Sequence, residues 1–239
     1  MNSSKPNPRL VVLISADAEW VAVTRLLHAA PVVASPLGDW FVVWPPDLDS
    51  TEPVLFFHGG WGKIAAAAST QYVIDHWSPD LIINLGTCGG LAGEIDRGAV
   101  VLADKTVVYD IVERMGDPDE HIVHYATQLE YGWLGQDYPQ QVVRTLLLSA
   151  DRDLAPEEVQ MLRSRYGAVA GDWESGAIAW VAARNQTPVL LLRGVTDLVS
   201  SAGGEAYDRP DFYQESAARV MYLLVEALPD WIRRFRGKG

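Results

Sequence analysis

Four apolar segments recur along the chain: RLVVLIS (9–15), DLIINL (80–85), GAVAG (167–171) and the last, TPVLLLRGVTD (187–197). Short continuous apolar runs of this kind read as strands buried on both faces. Stretches of helical character fall between and after them: alanine-rich at 64–77, charged at 156–165, rich in small residues at about 174–185, and amphipathic from about 211 to 235. Strand and helix in alternation predict an α/β fold, a three-layer α/β/α sandwich around a central mixed, largely parallel sheet. Further extended segments are expected at 39–44 and 53–58, paired across PPDLDSTEP, and from Ala99 onward. Residues 142–148 fit helix or strand equally, and 113–139 has no clean period, so it reads as a long loop that covers a site or a subunit contact. No repeat, low-complexity tract or linker interrupts the pattern. Residues 9–235 therefore read as one domain between a flexible stretch at 1–8 and a basic tail at 236–239.

Charge narrows the partners. Nineteen Lys and Arg against 31 Asp and Glu give a net charge of −12, a surface that repels phosphate backbones and anionic lipid, so neither nucleic acid nor membrane is expected. MNSSKPNP has no apolar core of the kind a secretory signal needs, which points to the cytoplasm. Cys88 is the single cysteine; it cannot form an internal disulfide and has no Cys or His at zinc-ligand spacing, so neither a metal nor a cofactor is expected.

In open α/β sheets, ligands bind beyond the carboxyl ends of the strands. Here Glu19 follows RLVVLIS by one helical turn, GTCGG (86–90) follows DLIINL, Asp172, Trp173 and Glu174 follow GAVAG, and Asp197 follows LLLRGVT. Ser15 is placed to cap the first helix. Taken singly, Glu19 and Glu174 read as helix N-terminal charges and Asp197 as a loop cap. Together they bring three carboxylates to one rim beside a glycine-rich turn, where buried acids are costly unless they are used. Neither GGWGK (59–63) nor GTCGG has the spacing of a nucleotide-binding loop.

The series SADAEW, GGWGK, DLIINLGTCGG with GAVVLAD, GDWESGAIAWVA and RGVTD, in that order over nearly the whole chain, resembles the nucleoside phosphorylase and nucleosidase superfamily. It is most similar to the methylthioadenosine/S-adenosylhomocysteine nucleosidases. The resemblance implies an N-ribosyl hydrolase in which Glu19 activates water, Asp197 protonates the departing purine and Glu174 grips the ribose hydroxyls. Arg193 would steady the acids and the glycine turn, with Gly86 and Thr87 letting backbone approach the substrate. It also implies a homodimer, with residues 113–139 as a contact or lid.

Hydrolysis is favoured over phosphorolysis because the resemblance would place phosphate-holding arginines where this chain has SADAEW and NLGTCGG, and neither segment contains one. A non-catalytic binder would not need both acid and base. Departures from the family pattern gather around the base and the 5′ group: Asp153 stands where an aromatic stacks on adenine, and Trp61, Trp173 and Asp17 replace smaller or apolar residues. The two tryptophans either line the pocket or fill core. The expected substrate is a purine nucleoside or modified relative that differs from methylthioadenosine.

Overall fold

β1 (Leu10–Ile14) is buried at every position and lies between β4 and β5, parallel to both. It is followed by α1 (Asp17–Leu26), β2 (Val33–Ser35), β3 (Gly38–Val43), β4 (Val54–His58) and α2 (Lys63–Trp77). Then come β5 (Leu81–Leu91), β6 (Val100–Val108), α3 (Glu120–Tyr125), β7 (Thr127–Gln128) and β8 (Val143–Ser149). The chain ends with α4 (Val159–Tyr166), β9 (Ala170–Asp172), α5 (Ser175–Arg184), β10 (Val189–Ser200), β11 (Gly203–Gly204) and α6 (Pro210–Arg236). This computed structural model describes residues 8–29, 31–44, 52–117, 119–135 and 137–237. Residues 1–7 of the stretch expected to be flexible at 1–8, most of PPDLDSTEP and the last two residues of the basic tail lie outside the described residues, and Pro8 is buried.

The strands form one mixed sheet in the order β11-β10-β6-β8-β9-β5-β1-β4-β3-β2, with β7 beside β6. Parallel pairs β4–β1, β1–β5 and β5–β10 make its centre, and antiparallel pairs extend one edge through β3 and β2. Because β10 also pairs with β5, the strands β5, β10, β6, β8 and β9 close into a small barrel. α1 packs on α6, which lies against β5 and β10, while α2 packs on α5, which lies against β6 and β8. Among the described residues no helix is long and apolar enough to cross a membrane.

Three local expectations change. GTCGG is no turn: β5 runs through it to Leu91, because glycine lets neighbouring side chains close over the strand. A Cβ on Gly90 would stand 2.7 Å from Ile95 and 2.9 Å from Leu198 and Val195. β10 likewise continues past Asp197 to Ser200, shifting register against β5 between Val195 and Asp197. Ser15 does not cap α1; Ala16 occupies that position, and its N–H is met from within the helix by Glu19 Oε2 at 3.1 Å. The segment expected at 142–148 as helix or strand is strand from Val143 to Ser149, parallel to β6. In the irregular stretch, Leu129, Tyr131 and Leu134 are buried, and the Tyr131 hydroxyl donates to Ala103 O at 2.8 Å. That half is anchored core; the exposed Met115 and Val123 lie in the other, and exposed Val112 just precedes it.

Candidate active site

The closed barrel places the ends of β1, β5, β9 and β10 together. The parallel ladders set Leu13 beside Asn84 and Arg193 beside Gly86, so the residues that follow these positions along the chain meet at one edge. Glu19, on the first turn of α1, is 3% exposed. Its Oε1 accepts the Thr87 N–H at 2.6 Å and the Thr87 hydroxyl at 2.8 Å. A carboxylate with three donors on it is fixed in place before any substrate arrives. Gly86 makes this approach feasible, since a Cβ there would stand 2.9 Å from both Glu19 Oε1 and Arg193 Nη1.

Arg193 is 1% exposed. Its Nε donates to Asp172 Oδ2 at 2.7 Å and its Nη2 to Asn84 Oδ1 at 2.6 Å. Asp172 also accepts the Ser175 N–H at 3.1 Å and the Ser175 hydroxyl, which ties the start of α5 to the same arginine. Next in the chain, Glu174 Oε1 accepts the Gly62 N–H at 2.9 Å. Burial pushes the Glu174 carboxyl well above its ordinary value, with Asp172 and Glu19 adding repulsion and Arg193 and the Gly62 N–H opposing. Asp197 sits where the β10 register shifts, an irregularity of the kind that re-aims side chains beside active sites. Its Oδ1 accepts the Thr196 hydroxyl at 2.7 Å. Burial raises its pKa too, the Thr196 hydrogen bond opposes, and Glu205 and Asp153 add to the rise.

These groups open on a cavity of about 810 Å³, lined among others by Glu19, Thr87, Trp173, Glu174 and Asp197. Trp61 and Asp153 stand at its wall, and Trp61, 62% exposed, lies 6.2 Å ring to ring from Trp173. Both tryptophans therefore face the cavity, and Trp61 fills no core. Gly86 and Arg193 do not reach it. They stand behind the wall, where Gly86 makes room and Arg193 holds Asp172.

Two features have no local sequence signal. Tyr213 of α6 lines the cavity with its hydroxyl 3.3 Å from Thr87 Oγ1, and burial raises its pKa, with Glu19 adding to the rise. Nothing in the sequence sets it apart from Tyr222, an exposed tyrosine on the same helix. The other is a clamp around Lys63. Its Nζ pairs with both Asp110 oxygens and lies 3.6 Å from Asp151 Oδ2, while its N–H donates to Asp151 Oδ1 at 2.6 Å. The Asp151 N–H in turn donates to Asp110 Oδ2 at 3.0 Å. The clamp joins GGWGK to the segments after β6 and β8, fixing the backbone that carries Trp61 and the Gly62 N–H.

The phosphorylase superfamily model matches residues 46–229. The chain belongs to that superfamily. Among superfamily relatives, the 5′-methylthioadenosine/S-adenosylhomocysteine nucleosidase of Geobacillus kaustophilus is 28% identical over 194 residues, covering 74% of this chain and 79% of its own. That of Buchnera aphidicola is 25% identical over 189 residues, covering 74% and 82%. The same fold is seen in a Helicobacter pylori nucleosidase mutant with 5′-methylthioadenosine in its active site, at a TM-score of 0.76 and 14% identity over 93% of this chain and 99% of that one. Futalosine hydrolase of Helicobacter pylori superposes with a TM-score of 0.76 at 15% identity, covering 94% and 98%.

Proposed function

We propose that the protein is an N-ribosyl hydrolase that cleaves the N-glycosidic bond of a purine nucleoside or a modified relative with water. The observation that carries this reading is the convergence of Glu19 and Asp197, two buried carboxylates from distant parts of the chain, on one cavity. Cleavage of such a bond passes through an oxocarbenium-like sugar. Glu19 takes a proton from water as the water oxygen bonds to C1′. The C1′–N9 electron pair leaves with the base, and Asp197 delivers a proton to purine N7. A general acid must hold its proton beforehand, and the raised Asp197 pKa supports that role. Glu174, pinned through one oxygen to Gly62, has the other for the ribose hydroxyls and for the positive charge that develops beside them.

Support for water over phosphate comes from Arg193, whose guanidinium is committed to Asp172 and Asn84, and from Arg152 on the cavity wall, which is paired with Glu158. Asp153, Trp61, Trp173 and Asp17 all line the cavity, which supports a substrate other than methylthioadenosine. The same reading makes the protein a cytoplasmic homodimer. The exposed Met115 and Val123, with Val112 just before them, support a contact in the first half of 113–139, and the lone buried thiol of Cys88 suits a reducing compartment. A panel of purine nucleosides differing in base and 5′ substituent, assayed for free base, tests the reading. Release from at least one, with methylthioadenosine a poor member, is expected; no release from any would overturn it.

A further inference from the structure

α6 turns one stripe toward β5 and β10, and from Ala217 onward that stripe is apolar: Ala217, Val220, Met221 and Leu224 are all buried. The approach is close, since a Cβ on Gly194 of β10 would stand 2.3 Å from Val220 Cγ1. Tyr213 lies on the same stripe, one turn before Ala217 and seven residues before Val220. This brings its hydroxyl to 3.3 Å from Thr87 Oγ1. A phenylalanine would fill the same space. A hydroxyl taken out of water there is costly unless it is used.

The direction of the protons follows from the carboxylate. Thr87 has one hydroxyl proton, and it donates that proton to Glu19 Oε1 at 2.8 Å. In the 3.3 Å contact the Thr87 oxygen therefore accepts, and Tyr213 is the donor. Burial, with Glu19 adding, keeps the phenol protonated for that role. Glu19 Oε1 already accepts both Thr87 donors, whereas Oε2 accepts the Ala16 N–H alone among the described residues. Oε2 is thus the oxygen with room for a proton. The Tyr213 oxygen, on the wall of the same cavity, keeps its own lone pairs for a donor.

Resting on the hydrolase reading, we propose that Tyr213 positions the attacking water, its oxygen accepting a hydrogen bond from one water proton while Glu19 takes the other. As the water oxygen bonds to C1′, the C1′–N9 electron pair leaves with the base and one proton moves to Glu19. The proton facing Tyr213 stays on the new sugar hydroxyl, and Tyr213 itself gains and loses nothing. An alcohol has no second proton for Tyr213, so this residue discriminates water from alcohol.

The test uses a nucleoside that the wild type cleaves, in aqueous methanol. The free sugar and its methyl glycoside are measured as competing products in the wild type, Tyr213→Phe and Tyr222→Phe, with rates read in single turnover. Tyr213→Phe should slow hydrolysis roughly 2- to 12-fold, the range of one hydrogen bond between neutral groups, with KM unchanged. The ratio of methyl glycoside to free sugar should rise by a similar factor, because attack by methanol loses nothing in this variant. Tyr222→Phe, altered at an exposed tyrosine of the same helix, should match the wild type in both. A ratio left unmoved by Tyr213→Phe would show that Tyr213 only packs the site, and a raised KM with the rate unmoved would show that it touches the sugar; either result overturns the proposal. If no nucleoside is cleaved, the hydrolase reading falls and this proposal with it, whereas a cleaved nucleoside with an unmoved ratio removes this proposal alone.

Discussion

Glu19 accepts three hydrogen bonds and faces the cavity, so its replacement separates chemistry from binding more cleanly than any other change. Glu19→Gln should lower kcat by about 100- to 10,000-fold, the usual contribution of a positioned general base, with substrate affinity little changed. Near-normal turnover in single-turnover kinetics would show that water is activated elsewhere. Glu174 gives a prediction about stability. Its pKa is raised in the folded protein, so its contribution is fully present below the ordinary carboxylate range and is lost as pH rises through the folded value. Measured by urea denaturation, the wild type should lose stability relative to Glu174→Gln as pH rises above the ordinary carboxylate range. A constant difference between the two would mean that the folded carboxyl titrates normally. Glu19, Glu174 and Asp197 were legible in the sequence because each sits at or just beyond an apolar segment whose direction fixes where it emerges. Tyr213 was not, because its place at the site depends on which face of α6 meets the sheet.

Among the elements, the apolar strands and long helices were readable because periodicity is a local property. Closure of the barrel was not, since it depends on β10 pairing with both β5 and β6. Reading GTCGG as a turn failed for the same reason: glycine marks turns and close approaches alike, and here the approach is of Ile95, Val195 and Leu198 on Gly90. Gly90→Ala should therefore destabilise the fold by about 1–3 kcal/mol, the range for overpacking a core, in chemical denaturation. A neutral effect would mean that the closure relaxes without strain. Lys63 acts through GGWGK, whose Gly62 has φ of 82° and donates its N–H to Glu174. Lys63→Met should depress kcat/KM and shift the pH profile, and Lys63→Arg should restore part of both. A profile unmoved by Lys63→Met would show that the clamp does not act through Glu174.

For the whole molecule, the net acidic charge leads to the expectation of a small ligand, and the cavity gives such a ligand a place. Exposed Val112, Met115 and Val123 predict a dimer by light scattering at micromolar concentration, and a monomer there would remove the proposed contact. The central claim is that water, not phosphate, takes the ribosyl group. It is tested most directly by following the sugar product of a cleaved nucleoside in phosphate-free buffer and in excess phosphate. Free ribose or its 5′-modified form should appear in step with the base in both buffers, at the same rate. Sugar 1-phosphate accumulating with the base, and turnover that depends on phosphate, would contradict the account.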